Sequence, residues 1–221
     1  MTTILALDTT TTNCSAALMC NGETYQELST MPRVHNEKIL QMVNNVLQKA
    51  QITMQQLDYL ALSIGPGSFT GVRLGVSIAQ GLAMGANLKI IPVSSLHAVA
   101  HNLSQKIDTG QIVVAFDARM QQVYWSSYDL KDVYLQRKTP DQLSNPQDLA
   151  LSGEFYATGD GFLGYESCFD AKLNYKYIAL EPNSNPKAKH VAAIAANMTA
   201  NAIAALELEP VYLRNNVAQK S

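Results

Sequence analysis

The sequence has few of the features that mark several large classes of protein. It contains three cysteines, Cys14, Cys20 and Cys168, and no C-x-x-C pair, which argues against a disulfide framework or a zinc finger and suits a reducing compartment. A formal charge of −2 provides no basic field for nucleic acid. If RNA is involved, we therefore expect another chain to hold most of it.

The sequence also shows no pattern typical of a targeting segment or of a membrane span. The first residues, MTTILALDTTTT, have no basic segment and carry Asp8 within their first apolar run, unlike a secretory signal peptide. No apolar run approaches the roughly 18 residues that a membrane span requires. We therefore expect a soluble, cytoplasmic protein.

Two parts of the chain begin with similar strand patterns. ILALD at 4–8 and VVAFD at 113–117 are short apolar runs that end in an aspartate, Asp8 and Asp117. The similarity continues at the same offset of 109 residues: CSAALMC (14–20) matches VYWSSYD (123–129), and TYQEL (24–28) matches VYLQR (133–137). This offset is near half the chain length, so it predicts two related lobes, residues 1–108 and 109–221.

Helix and strand patterns alternate after these opening strands. Apolar residues recur at helical spacing from His35 to Ala50, and further helices are expected at about 71–86, 95–106 and 189–208. Strand patterns occupy 57–64 and 88–94. An α/β lobe of βββαβα order, repeated and with an Asp after its first strand, is the plan of the two-lobed superfamily of actin, sugar kinases and the Hsp70 ATPase. There, nucleotide lies between the lobes and the two Asp-bearing turns face its phosphates and metal.

The glycine-rich stretch SIGPGSFTGVRLGVSIAQG, residues 63–81, does not fit the known phosphate-binding loops. A Walker A loop needs a Lys and then a Ser or Thr after its last glycine, whereas Gly71 is followed by Val72 and Arg73. The spacing of Gly65, Gly67 and Gly71 also differs from the Rossmann pattern G-x-G-x-x-G. Backbone N–H groups at a helix start can still bind an anion without a motif, and that alternative stays open.

The same stretch is more typical of a packing surface. Arg73, Ser77, Gln80 and Met84 form one narrow stripe of the helix, and the rest of its circumference is apolar or small. A helix that covers one sheet needs only a single apolar face. Small residues at 71, 75 and 79 would let a second backbone come close, either from this chain or from a partner. Ser68 or Thr70 is expected to cap the helix.

Few residues are candidates for binding or catalysis. In LDTTTT, Thr9 and Thr10 follow Asp8 where a phosphate-binding turn has a glycine, and their side chains crowd the turn. The set considered for nucleotide or anion contact is Asp8, Thr9, Thr10, Ser68 and Asp117; for Asp8 and Asp117 we favour a structural turn. No Ser/His/Asp or Cys/His arrangement can be assembled, and no catalytic residue is assigned.

One histidine pair has the spacing of a metal site. His97 and His101 lie four residues apart on an expected helix, which places both rings on one face. No Glu follows His97 as in H-E-x-x-H, and no third ligand is evident. We therefore interpret the two histidines as solvated side chains and expect no metal site.

Six stretches together resemble one protein family. ILALDTT, HNEKILQMVNNVL, GPGSFTGVRLG, PVSSL, DARMQQVYW and the tail PVYLRNNVA are similar to the TsaB (YeaZ) family of bacterial tRNA threonylcarbamoyladenosine biosynthesis proteins. The resemblance runs from residue 4 to about residue 218. GPGSFTG followed by R-x-G is a specific signature, and DAR with VYW at the proper distance makes a chance match improbable.

The resemblance implies a supporting role in modification of tRNA. A TsaB-type protein is a non-catalytic paralogue of TsaD, which transfers the threonylcarbamoyl group to adenosine 37 of tRNAs that read codons beginning with A. It pairs with TsaD through its first-lobe helices, and the small ATPase TsaE joins them, while TsaC makes the threonylcarbamoyl-adenylate. ATP and metal are then expected to bind to the partner proteins, and this chain is expected to contact tRNA only indirectly, through the complex. Alone, the chain is expected to form a homodimer.

The resemblance also assigns the candidate interface to two helices, at about 36–50 and 70–86. The expected contact residues are His35, Ile39, Val43, Val46, Gly71, Leu74, Gly75, Ile78, Gly81 and Leu82. Two alternatives remain. One is an ATP-dependent kinase or carbamoyl transferase with an interlobe site at Asp8 and Asp117. The other is a metal-dependent M22-type peptidase that uses His97 and His101, although the resemblance implies that the metal positions of the paralogue TsaD align with Ser95 and Val99 instead.

Overall fold

A computed structural model describes residues 2–31, 34–149, 151, 153–170 and 184–214. The chain forms two compact units, Met1–Ala98 with Asn185–Pro210 and Val99–Ser184 with Val211–Ser221. The predicted division into 1–108 and 109–221 is therefore wrong. The segment 185–210 returns to the first unit because its apolar helix covers a face of the first sheet, which sequence order alone does not reveal.

The first unit is built on a five-stranded sheet with the order β3-β2-β1-β4-β5. β2 pairs antiparallel with both β1 and β3, while β4 pairs parallel with β1 and β5. Asn21 and Gly22 form the β2–β3 turn with φ of 50° and 83°, the positive values that a two-residue hairpin turn requires. The strands are Ile4–Asp8, Cys14–Cys20, Glu23–Ser29, Tyr59–Ser63 and Lys89–Val93.

Helices cover both faces of this sheet. α1 (His35–Ala50) and α2 (Phe69–Ala86) pack on one face, where Leu5, Leu7 and Leu62 meet apolar residues of both helices. α6 (Ala188–Ala196) packs on the other face, against the alternate residues of β1. Since successive side chains of a strand point to opposite faces, the unbroken apolar run of β1 serves both layers. α3 (Ser95–Ser104) follows β5.

The predicted long helix over 189–208 is wrong in its second half. After α6 the chain forms two short 3-10 turns, Thr199–Asn201 and Ala205–Glu207. Between them Ile203 forms a β-bridge with Ile90 of β5, and each backbone N–H donates to the other's carbonyl at 2.9 Å. This pairing at the sheet edge competes with helix for the same backbone groups.

The second unit repeats the first part of this plan. β6, β7 and β8 are antiparallel, and β10 pairs parallel with β6 as β4 does with β1. The strand order is β10-β6-β7-β8, with β9 also paired to β7. Two units that share this order have the expected two-lobed, actin-like α/β fold. The elements are β6 Gly110–Asp117, β7 Val123–Lys131, β8 Tyr134–Arg137, β9 Gln142–Ser144, β10 Phe155–Thr158, α4 Gly161–Gly164 and α5 Glu166–Asp170.

The repeat is incomplete in two respects. Between β8 and β10 the described residues form β9 and a 3-10 turn, Pro146–Asp148, and no helix equivalent to α1. The offset of 109 residues also fails after β7, because the second hairpin turns at Asp132 and Val133, two residues later than that offset places it. None of the described helices has the length and apolar character needed to span a membrane.

Candidate docking surface and the turn beneath it

The turn after β1 is enclosed by the protein. Asp8, Thr9 and Thr10 are each 0% exposed. The Asp8 carboxylate accepts hydrogen bonds from the Thr10 backbone N–H at 3.2 Å and from the Thr10 hydroxyl at 3.0 Å. The turn therefore satisfies its own carboxylate with local donors, as a structural Asx-type turn does.

Three glycines allow the start of α2 to lie directly on this turn. A Cβ at Gly67 would overlap the carbonyl oxygen of Thr10, and one at Gly71 would overlap the carbonyl oxygen of Thr9. At Gly75 it would lie 2.6 Å from the Thr9 hydroxyl oxygen. The predicted packing surface is confirmed, and the backbone that approaches it belongs to this chain's own β1–β2 turn.

Burial changes the acidity of Asp8. Removal from water raises its pKa from 3.8 to about 6, against the opposing effects of the Ser63 and Thr10 hydroxyls and the charge of His35. A buried carboxylate without a paired cation is costly to ionise. The carboxyl group is thus held as part of the folded turn, and ionisation weakens the fold.

Three of the five residues considered for nucleotide contact have no exposed surface in this structure. Asp8, Thr9 and Thr10 lie beneath α2 with no exposed surface, which agrees with the structural turn that we favour for Asp8. Ser68 is exposed, and its hydroxyl accepts a hydrogen bond from the Gly71 N–H at 3.4 Å. The predicted Ser68 cap is confirmed, since this bond satisfies one free N–H group of the first turn.

The outward side of α2 exposes two large apolar side chains together with small or polar residues and a single charge. Phe69 is 53% exposed and Met84 61% exposed, and Arg73 is the one charged residue in the helix. The Arg73 guanidinium lies 3.7 Å from the centroid of the Phe69 ring, a cation–π contact. Leu74, Ile78 and Leu82 line one edge of the exposed arc, each partly buried.

Two glycines in the second half of α2 differ from those in the first half. Gly81 and Gly85 are exposed, and a Cβ at either position would have no atom within 4 Å. Among the residues that the structure describes, no contact requires glycine at either position. We refer to the exposed arc formed by Phe69, Arg73, Ser77, Gly81, Met84 and Gly85, with the edge of Leu74, Ile78 and Leu82, as the outer face of α2.

The outward side of α1 differs from the prediction. Ile39, Val43 and Val46 are 0%, 4% and 0% exposed, so their assignment to a partner interface is wrong. They form the stripe at helical spacing that packs on the helix's own sheet, which is what an amphipathic helix requires. The exposed apolar residue of α1 is Leu40, at 52%.

The remaining predicted interface residues divide into two groups. His35 is partly buried, and its Nε2 lies 2.9 Å from the carbonyl oxygen of Thr11. Gly75 is buried and Gly71 is partly buried on the side of α2 that faces the β1–β2 turn, so both serve internal packing. Leu74, Ile78, Gly81 and Leu82 retain exposed surface, and they remain candidates for contact with a partner.

Asp117, the counterpart of Asp8, is held by neighbours within the second unit. Its carboxylate lies 3.0 Å from the Arg119 guanidinium and accepts a hydrogen bond from the Tyr165 hydroxyl at 2.9 Å. Its backbone N–H donates to Asp160 at 3.0 Å. The Arg214 guanidinium donates to the Ala118 carbonyl at 3.0 Å. Asp117 therefore organises the β6–β7 turn.

The histidine pair lies on α3 as predicted, but both side chains are partly buried rather than fully solvated. Burial lowers the pKa of His101. Within the described part of the chain, no group of three or more His, Cys, Asp or Glu side chains is arranged to hold a metal ion.

Comparison with known proteins identifies the family. The family model described as TsaD, tRNA N6-adenosine threonylcarbamoyltransferase, matches residues 29–220. The tRNA threonylcarbamoyladenosine biosynthesis protein TsaB of Haemophilus influenzae is 36% identical over 231 aligned positions, which cover 99% of this chain and 96% of that protein. TsaB of Escherichia coli is 38% identical over 230 positions, which cover 98% and 96%.

A solved structure agrees with these sequence relatives. YeaZ from Pseudomonas aeruginosa superimposes with a TM-score of 0.88 at 30% identity, over 96% of this chain and 100% of that one. The chain belongs to the TsaB (YeaZ) family of tRNA threonylcarbamoyladenosine biosynthesis proteins.

Proposed function

We propose that this chain acts in threonylcarbamoyladenosine biosynthesis as a docking subunit for a TsaD-type paralogue, through the outer face of α2 and the exposed side of α1. The outer face of α2 is the observation that carries this proposal. It exposes Phe69 and Met84 along an 18-residue helix whose one charged residue, Arg73, stacks on Phe69. Large apolar side chains exposed on one helix are candidates for contact with a partner.

The partner we propose is a paralogue of the same fold, and the chemistry of the face suits it. An outer face with glycines at 81 and 85 lets another helix approach closely, and the apolar residues around them supply the buried area. In the absence of the paralogue, a second copy of this chain would cover the same face, because a two-fold dimer brings identical patches together.

We further propose that the chain itself is not the catalyst. The β1–β2 turn, which faces nucleotide phosphates in catalytic members of the superfamily, is occupied here by Thr9 and Thr10 beneath α2. The Asp117 carboxylate is engaged by Arg119 and Tyr165. ATP, metal and threonylcarbamoyl-adenylate would then be handled by TsaD-, TsaE- and TsaC-type proteins, and tRNA would be met only in the assembled complex.

The test is formation of threonylcarbamoyladenosine on tRNA in a purified mixture of TsaC-, TsaD- and TsaE-type proteins. Met84→Asp places a charge on the outer face of α2 at a side chain that is 61% exposed. Val133→Asp is the matched control, since Val133 is 94% exposed and lies in the second unit. We expect wild type and Val133→Asp to restore product and Met84→Asp to fail while remaining folded.

Two results would count against the proposal. Product formation at the wild-type level with Met84→Asp would place the docking surface elsewhere. Product formation by this chain without a TsaD-type protein, lost in Asp8→Asn, would instead favour an enzyme that uses its own carboxylates.

A further inference from the structure

Thr9 occupies a defined position between the first sheet and α2. Its side chain has no exposed surface, and its hydroxyl donates a hydrogen bond to the Gly71 carbonyl oxygen at 2.7 Å. A Cβ at Gly75 would lie 2.6 Å from that hydroxyl oxygen. Thr9 therefore fits a notch that exists because positions 71 and 75, one helical turn apart, are both glycine.

The same turn also contacts the starts of both helices that bear the proposed docking surface. The Ser68 N–H donates to the Thr10 carbonyl at 2.6 Å, immediately before α2. His35 Nε2, at the first residue of α1, lies 2.9 Å from the Thr11 carbonyl oxygen. Three consecutive residues of one turn thus contact the first residues of two helices.

We infer that Thr9 is a positioning residue for docking: its hydroxyl, seated against Gly71 and Gly75, fixes the rotation and depth of α2 on the sheet, and so fixes the outer face that a partner would meet. This inference rests on the proposed function. It assigns to the first Thr of the turn a role in partner binding, although Thr9 is itself enclosed and contacts no partner.

The physical basis is the directionality of this contact. The rest of α2 rests on the sheet through Val72, Val76, Ala79 and Ala83, and apolar contacts between such side chains do not specify one rotation. A hydrogen bond loses strength steeply as its angle departs from linear. Rotation of α2 one way would also bring Val72 or Val76 towards Thr9 in place of a glycine, and rotation the other way would bring Leu74.

The experiment compares two substitutions at this position. Thr9→Val keeps the shape of the side chain and removes the hydroxyl, whereas Thr9→Ser keeps the hydroxyl and removes the methyl group. Affinity for a TsaD-type partner is measured by calorimetry, and backbone amide resonances of α2 are recorded in the free chain. Thr9→Ala, which also removes the hydroxyl and avoids any steric change from valine, carries the test if Thr9→Val does not fold.

We expect Thr9→Val and Thr9→Ala to weaken pairing about tenfold and Thr9→Ser to stay within about threefold of wild type. Amide resonances of exposed Arg73, Ser77 and Gly81 should shift in the valine variant and return in the serine variant. Rescue by serine would not follow from a purely structural role, because serine loses packing contacts that valine retains.

The Met84→Asp variant distinguishes failure of the inference about Thr9 from failure of the proposed function. If Thr9→Val and Thr9→Ala pair like wild type while Met84→Asp does not, the positioning role of Thr9 is wrong and the proposed function stands. If Met84→Asp itself pairs normally, the docking surface is wrong, and the inference about Thr9 falls with it.

Discussion

In the first half of α2, Gly71 and Gly75 are covered by the chain's own turn, whereas in the second half Gly81 and Gly85 face open space. The residue type is the same and its environment is opposite. Glycine costs helix stability relative to alanine wherever it stands in a helix interior. In the first half, a contact within the chain offsets that cost, and in the second half the described residues form no such contact. The difference separates internal packing from a surface that we propose is completed by a partner.

The largest effect should follow from filling the covered glycine. In Gly71→Ala, the new methyl group would overlap the Thr9 carbonyl oxygen, and backbone must move to make room. We expect the free energy of unfolding to fall by about 3 kcal/mol, the upper range for overpacked sites. Urea denaturation followed by circular dichroism measures this change. An unchanged midpoint would mean that the turn and the helix are not in close contact.

The buried carboxyl beneath this half of α2 should give the protein a pH-dependent stability. The folded pKa of Asp8 is raised from 3.8 to about 6, so the folded protein binds more protons than the unfolded chain between these values. The contribution of Asp8 to the free energy of unfolding is then greatest below pH 4, falls as the pH rises to 6, and stays lower above pH 6. The loss is about 2–3 kcal/mol.

Asp8→Asn isolates this contribution. The amide keeps the size of the carboxyl group and does not ionise, so the decline between pH 4 and 6 should disappear from its stability profile. If the stabilities of wild type and Asp8→Asn change with pH in parallel over that range, Asp8 does not cause the decline.

The open glycines should respond in the opposite direction from Gly71. Gly81→Ala adds a methyl group where no atom lies within 4 Å, and alanine is the better helix former. We expect the free energy of unfolding to rise by about 0.5–1 kcal/mol. Denaturant midpoints of the monomeric protein measure it. A loss of stability instead would show that Gly81 is already covered within the chain.

The smallest effect is expected at the cap that starts α2. Ser68→Ala removes the acceptor of the Gly71 N–H, and because that bond is long at 3.4 Å we expect a loss of about 0.5 kcal/mol. Ser68→Asp keeps an acceptor at this position and is the matched control. If both variants lose the same stability, the hydroxyl is not acting as a cap.

Periodicity predicted most of the first unit correctly. The helix at His35–Ala50 and the strands of the first sheet follow directly from apolar spacing of 3.6 and from short buried runs. The same spacing led to the wrong surface on α1, since Ile39, Val43 and Val46 form an apolar stripe whether it meets a sheet or a partner. Leu40 lies outside that stripe, and its exposure in the structure is what distinguishes it from the buried residues of α1.

Other features depend on contacts between distant residues. The glycines of α2 indicate that a backbone comes close, but sequence spacing does not show that this backbone is Thr9–Thr10, some 60 positions away. The bridge between Ile90 and Ile203 ends the last helix early for a similar reason. An exposed Phe69 was not expected, although its place beside the Ser68 cap gave a signal: the first residues of a helix are commonly solvent-exposed.

We propose that the open half of α2 is a docking surface, and the Gly81→Arg variant provides the decisive test. Residue 81 is exposed, and among the described residues no atom lies within 4 Å of the position of its Cβ, so we expect that the free energy of unfolding does not fall. The measurement is calorimetric titration of a TsaD-type paralogue with wild type and Gly81→Arg. We expect the variant to lose detectable pairing while it retains its stability. Wild-type affinity in a folded Gly81→Arg protein would show that this half of α2 is not a docking surface.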